Sequence, residues 1–102
     1  MNLWYVVFII GFIWWITYQI NHHKKLGERN LDKRGYYRNG YGKLVHREVA
    51  YHNHYIEGFK RGKYILRFGE YDIHHIDENK LNNHPSNLQI LTREEHKKIH
   101  GR

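Results

Sequence analysis

The chain has 102 residues, enough for one small domain and not for two. It contains no cysteine, which excludes disulfides and cysteine-ligated zinc sites. Lysine and arginine number 17 against 10 acids, a net charge of +7, and ten histidines add an unusual load of imidazole, the side chain of metal sites and proton transfer.

The charge is placed unevenly. Residues 1–20 carry none; residues 21–47 hold eight Lys/Arg and two acids, a net +6; residues 48–102 hold nine and eight, a net +1. The basic excess is therefore a local patch, suited either to nucleic acid phosphates or to anionic lipid headgroups.

Residues 3–20 read LWYVVFIIGFIWWITYQI, with only Thr17 and Gln19 plainly polar. As a helix this stretch is roughly 27 Å long, close to the ~30 Å of a bilayer's hydrocarbon layer. It is apolar all round and has no stripe to mark a surface helix. Trp4 and Tyr5 stand at one end and Trp14, Trp15 and Tyr18 toward the other, as in an interfacial belt. A cleaved signal peptide would need a charged start and a small-residue cleavage site, and neither Met1-Asn2-Leu3 nor QINHHKK offers them. A buried core helix would need more protein to wrap it than the rest of the chain supplies. The reading is a single-pass transmembrane anchor over residues 1–20. Lys24, Lys25, Arg29, Lys33 and Arg34 follow it, so the positive-inside rule places the C-terminal domain in the cytoplasm.

Residues 21–35, with His22 and His23, have no hydrophobic period and read as a basic juxtamembrane linker. Residues 36–45 carry a turn signal at Asn39-Gly40 between β-prone residues, which predicts a short hairpin. Val45, Val49, His52 and Ile56 recur at helical spacing and predict a helix over 45–56. Within it, His52-Asn53-His54 is an ordinary run: residues two apart on a helix lie about 200° apart and do not converge on one ion. Residues 57–70 are punctuated by Gly58, Gly62 and Gly69 and predict irregular backbone with an extended piece at 63–68.

The last thirty residues are the most informative. Tyr71–His75 predicts a strand, Asp77–Ser86 a loop broken by Pro85, and Leu88–Leu91 a second strand. Thr92-Arg93-Glu94-Glu95 has the form of a capping box, which opens a helix from Arg93 to about His100, with Gly101 just past its end. His96 and His100, four apart, share one face of that helix and could bind one ion together. His74 and His75 pose a geometric question, because adjacent strand residues point to opposite faces. Both reach one site only if the strand ends there.

The run HHIDENKLNNHPSNLQILTREEH resembles the HNH endonuclease family, whose active site is a ββα-metal unit. The likeness covers roughly residues 36–101, with His46-Arg47 similar to the family's upstream segment, and is densest over 72–100. It implies a small α+β fold: a nuclease domain over residues 36–102 in which the ββα-metal unit is preceded by a short hairpin and helix; residues 1–35, with the N-terminal transmembrane helix, lie outside the likeness. It implies His75 as the general base, since a neutral imidazole can take a proton from attacking water. His74 and His96 match metal ligands, with His100 a third, similar to the colicin nucleases of that superfamily. Asn87 would orient His75 or shape the metal site. Asp77 and Asn83 are expected to hold the loop's shape, and His84 has no role. Lys80, Arg93, Lys97 and Lys98 are candidates for phosphate contact.

Many members of that family carry two C-x-x-C pairs for a structural zinc; here the domain must rely on packing and its one metal site. The implied cofactor is one divalent ion. Imidazole ligands suit zinc, nickel or manganese better than magnesium. The expected function is a membrane-anchored, metal-dependent endonuclease acting on DNA. The alternative is a non-catalytic, metal-stabilised module that binds nucleic acid or lipid.

Overall fold

The computed structural model describes residues 2–101. Helix α1 (Trp4–Gly27) carries the apolar stretch, and none of its residues is buried. It does not stop where the apolar run ends. It continues through His22 and Lys25 to Gly27, two turns into the segment read as linker. The same segment then supplies a short strand, β1 (Asn30–Leu31), which pairs antiparallel with β2 (Tyr37–Arg38). Asp32 closes the loop between them by accepting the N–H groups of Arg34 and Tyr36 and an ion pair from Arg38 at 3.1 Å. Its pKa is lowered, chiefly by the Tyr36 N–H.

The turn expected at Asn39-Gly40 is present, closed by a bridge between Arg38 and Leu44. Buried Asn39 organises it. Its Oδ1 accepts the N–H groups of Tyr41 and Lys43 at 2.9 and 3.1 Å. The helix that follows is longer than its apolar period suggests. It begins as α2 (Val45–Ala50), loosens into a π-helical turn (Tyr51–Tyr55) and ends as α3 (Ile56–Lys60). No strand forms over 63–68. Instead the buried Tyr71 ring draws that segment in, its hydroxyl accepting the N–H groups of Ile65 and Leu66.

Strands β3 (Tyr71–His75) and β4 (Leu88–Thr92) form an antiparallel ribbon in the register Tyr71↔Thr92, Ile73↔Ile90, His75↔Leu88. Alternation then decides everything around it. Tyr71, Ile73, Leu88 and Ile90 share one face and pack on Ala50 and Tyr55 of the long helix, which makes the core. Asp72, His74 and buried Leu91 share the other face, covered by α4 (Arg93–Ile99). The Thr92/Glu95 capping box forms in both directions, at 3.1 and 2.9 Å. Because the Thr92 N–H, and after it the Thr92 hydroxyl, favours the ionised carboxylate, the Glu95 pKa is lowered.

Candidate active site

Strand β3 ends at His75, and the chain turns away through Ile76 and Asp77. His74 points toward α4 and His75 toward α2, yet both line one cleft of about 330 Å³ at the ribbon's end, with Tyr36, Glu78, Lys80, His96 and His100. The strand end resolves the puzzle of adjacent imidazoles: opposite faces meet in a common space once the ribbon stops.

On the α4 side, His74, His96 and His100 each offer a ring nitrogen, and the three atoms lie within 4.8 Å of one another. His96 Nδ1 lies 3.1 Å from Asp72 Oδ2, so it carries the proton and Nε2 is left bare toward the cluster. His96 Nε2 and His100 Nε2 are 3.0 Å apart. The His74 pKa is lowered, first by burial and then by the imidazoles of His100 and His96. Three imidazoles that each offer one ring nitrogen within this distance could hold one divalent ion.

On the α2 side, His75 Nε2 meets Asn83 Oδ1 at 2.8 Å. Its ring packs 5.1 Å from that of His46, which stacks on Tyr36 at 4.9 Å. His46 is 7% exposed, and its Nδ1 is buried with no hydrogen-bond partner. Burial, and after it the charge of His75, pushes its pKa down to about 4, so the ring is neutral at pH 7.

Asn87 is buried one step behind the cleft and makes no bond to His75. Its Nδ2 donates to Asp77 Oδ1 and to the Asn82 carbonyl, both at 2.9 Å, and its Oδ1 accepts the Asp77 N–H at 3.0 Å. Asp77 also takes the Asn82 amide and the Asn79 N–H, and these bonds, led by Asn82, lower its pKa. Asn83 touches the imidazole, while Asn87 braces the loop that carries Asn83.

The four basic candidates fare differently. Lys80 reaches across the cleft mouth to the Arg34 carbonyl at 3.1 Å and lies over the Tyr36 ring. Arg93 is engaged with the Glu70 and Gly69 carbonyls. Lys97 lines a second cavity of about 730 Å³ beside His96 and His100, and Lys98 is exposed. His84, given no role, caps the turn at Pro85–Asn87 by accepting the Ser86 N–H. His54 is more than a surface residue, since its Nε2 lies 2.7 Å from the Pro85 carbonyl and ties the long helix to the same loop.

Sequence reasoning missed Asp72, His46 and Tyr36. Strand alternation could have found Asp72, which is two residues from His74 and so on its face. Nothing in the local pattern pairs His46 with His75, which are distant in sequence and joined only by packing.

A two-stranded ribbon, a helix across it and a histidine cluster between them make a ββα arrangement with a candidate metal site. Residues 61–98 match a family model described as HNH endonuclease. No curated protein and no solved structure matches the chain. The matched range contains His74, His75, Asn83, Asn87 and His96, whereas Tyr36, which lines the cleft, and His46, which packs on His75 and Tyr36, lie outside it.

Proposed function

We propose that the protein is a metal-dependent endonuclease that hydrolyses DNA phosphodiester bonds from a membrane anchor. The observation that carries this reading is the paired use of one strand end. His74 turns to the ligand cluster and His75 to a separate, hydrogen-bonded position in the same cleft. A purely structural ion would need His74, His96 and His100 and would leave the placement of His75 without purpose.

His75 is the general base. Its Nε2–H donates to Asn83 Oδ1, which leaves Nδ1 as the lone pair able to take a proton from water. The water oxygen bonds to phosphorus as the bond to the 3′ oxygen breaks. His74, His96 and His100 would hold the divalent ion, and Asp72 fixes the tautomer of His96. When bound, that ion offsets charge on the scissile phosphate and the departing oxygen. Lys80 and Lys97, on either side of the histidines, would receive flanking phosphates.

For the anchor, the support is a helix of 24 residues, none of them buried, whose apolar run is followed by Lys24 and Lys25 in its last turn. A signal sequence would pass the same length and hydropathy test. The anchor reading is favoured because α1 runs unbroken into contact with the folded domain. The domain then faces the cytoplasm. Plasmid nicking by the full chain in detergent, with Mg, Mn, Ni or Zn added in turn, tests the catalytic reading. Cleavage is expected with at least one ion, and no cleavage with any of the four would reject it.

A further inference from the structure

The end of α1 does not dangle from the domain; it is seated on it. The Gly40 N–H donates to the Lys25 carbonyl at 2.7 Å. The Tyr41 hydroxyl bonds His22 Nδ1, the two rings lie 5.4 Å apart, and Lys25 Nζ sits 5.3 Å over the same tyrosine ring. Gly40 is what permits the approach. A Cβ there would stand 2.9 Å from the Lys25 Cα, a backbone atom that cannot swing aside. The turn that makes these contacts is itself fixed by buried Asn39 and leads through Leu44 directly into α2, which carries His46 against His75.

The seat lies close to the predicted bilayer surface. From the end of the apolar run at Ile20 to Lys25 is five residues, or about 8 Å of helix. The segment held there carries Lys24, Lys25, Arg29, Lys33 and Arg34, all exposed. At about one Debye length from the headgroups, these charges still feel an anionic surface.

We propose that the Asn39–Gly42 turn clamps the end of the membrane helix, and that the basic segment so held rests on anionic lipid headgroups, which fixes the height and tilt of the nuclease cleft above the bilayer. The proposal rests on the anchor reading. A flexible tether would let the cleft sample any orientation; a clamped one presents it only to DNA lying along the membrane.

The chain has no cysteine, so labels can be placed singly in the full-length protein. A donor dye on Ser86→Cys would report distance to acceptor-labelled headgroups in nanodiscs of pure phosphatidylcholine or with phosphatidylglycerol. The expected result is one narrow distance distribution with phosphatidylglycerol. It should broaden when Lys24, Lys25, Arg29, Lys33 and Arg34 are all changed to Gln, and also in Gly40→Val. Independently, Tyr41→Phe, which removes only the hydroxyl bonded to His22, should broaden the distribution by itself, a readout that does not depend on the Gly40 variant folding. A chain that enters nanodiscs yet shows a broad distribution, or one that Tyr41→Phe and Gly40→Val leave unchanged, overturns the clamp and leaves the anchor standing. A chain that enters no lipid overturns both. If the five Gln changes weaken DNA binding equally in both lipids without moving the dye, the basic segment serves DNA and the lipid contact is wrong.

Discussion

His75 Nε2 and Asn83 Oδ1 lie 2.8 Å apart, and this one bond assigns the imidazole its tautomer. An amide oxygen only accepts, so Nε2 keeps the proton and Nδ1 is the free base. Asn83→Ala removes the acceptor and lets the ring turn. The expected result is a fall in kcat of about 10- to 100-fold, with metal affinity unchanged because the ligand cluster sits on the other strand face. Single-turnover cleavage beside a calorimetric metal titration checks it; an unchanged kcat would mean that Asn83 only shapes the loop.

Asp72 should matter to the ion without touching it. Its carboxylate lies 3.1 Å from Nδ1 of His96, the proposed ligand on α4. Asp72→Ala is expected to weaken metal binding by about 10- to 100-fold. His96→Ala, which deletes a ligand outright, should weaken it more. Equal affinity in Asp72→Ala and wild type would contradict the orienting role.

The buried His46 makes a pH signature. Its folded pKa is about 4 against an ordinary 6.5, so between those values the unfolded chain binds a proton that the folded one does not. Stability therefore falls as pH drops from 6.5 toward 4, by about 3 kcal/mol from this residue. His46→Phe should flatten that part of the profile, measured by urea unfolding without added metal. The carboxylates with lowered pKa values, Asp32, Asp77 and Glu95, also lose their contribution on acidification, but as pH falls through their own lower range. The two regions are thus separable. A His46→Phe profile parallel to wild type between pH 6.5 and 4 would contradict the assignment.

Asn87 is expected to act through stability of the loop. Asn87→Ala removes three hydrogen bonds from a buried position. It should cost about 2–4 kcal/mol in denaturant unfolding, and activity should fall with it. If activity vanished while stability held, Asn87 would be acting on the reaction directly.

Much of this architecture was legible in the residues because it is local. The strand at 71–75, the capping box at Thr92 and the i, i+4 pair His96/His100 are each written within a few positions, and all three form as read. The parts that escaped are those fixed by distant partners. The helix over 45–60 outruns its apolar period because its far end is held by aromatic packing of Tyr55 on Phe59 and Tyr64. The piece at 63–68 pairs with no strand, and the Tyr71 hydroxyl accepts the N–H groups of Ile65 and Leu66. The linker gains structure because the helix end finds Gly40, and His46 reaches His75 only once the long helix lies across the ribbon. Even Asn83 and Asn87, both visible in the motif, could be sorted only by seeing which amide meets the imidazole.

The central claim is that His74 and His75 divide the labour of one site. The measurement that tests it most directly is His75→Ala in the full chain, assayed side by side for metal affinity and for plasmid cleavage with the ion that supports the wild type. Metal affinity within about twofold of wild type, with cleavage reduced by about 100-fold or more, is the expected result. Cleavage at the wild-type rate, or loss of the metal along with the activity, would contradict it.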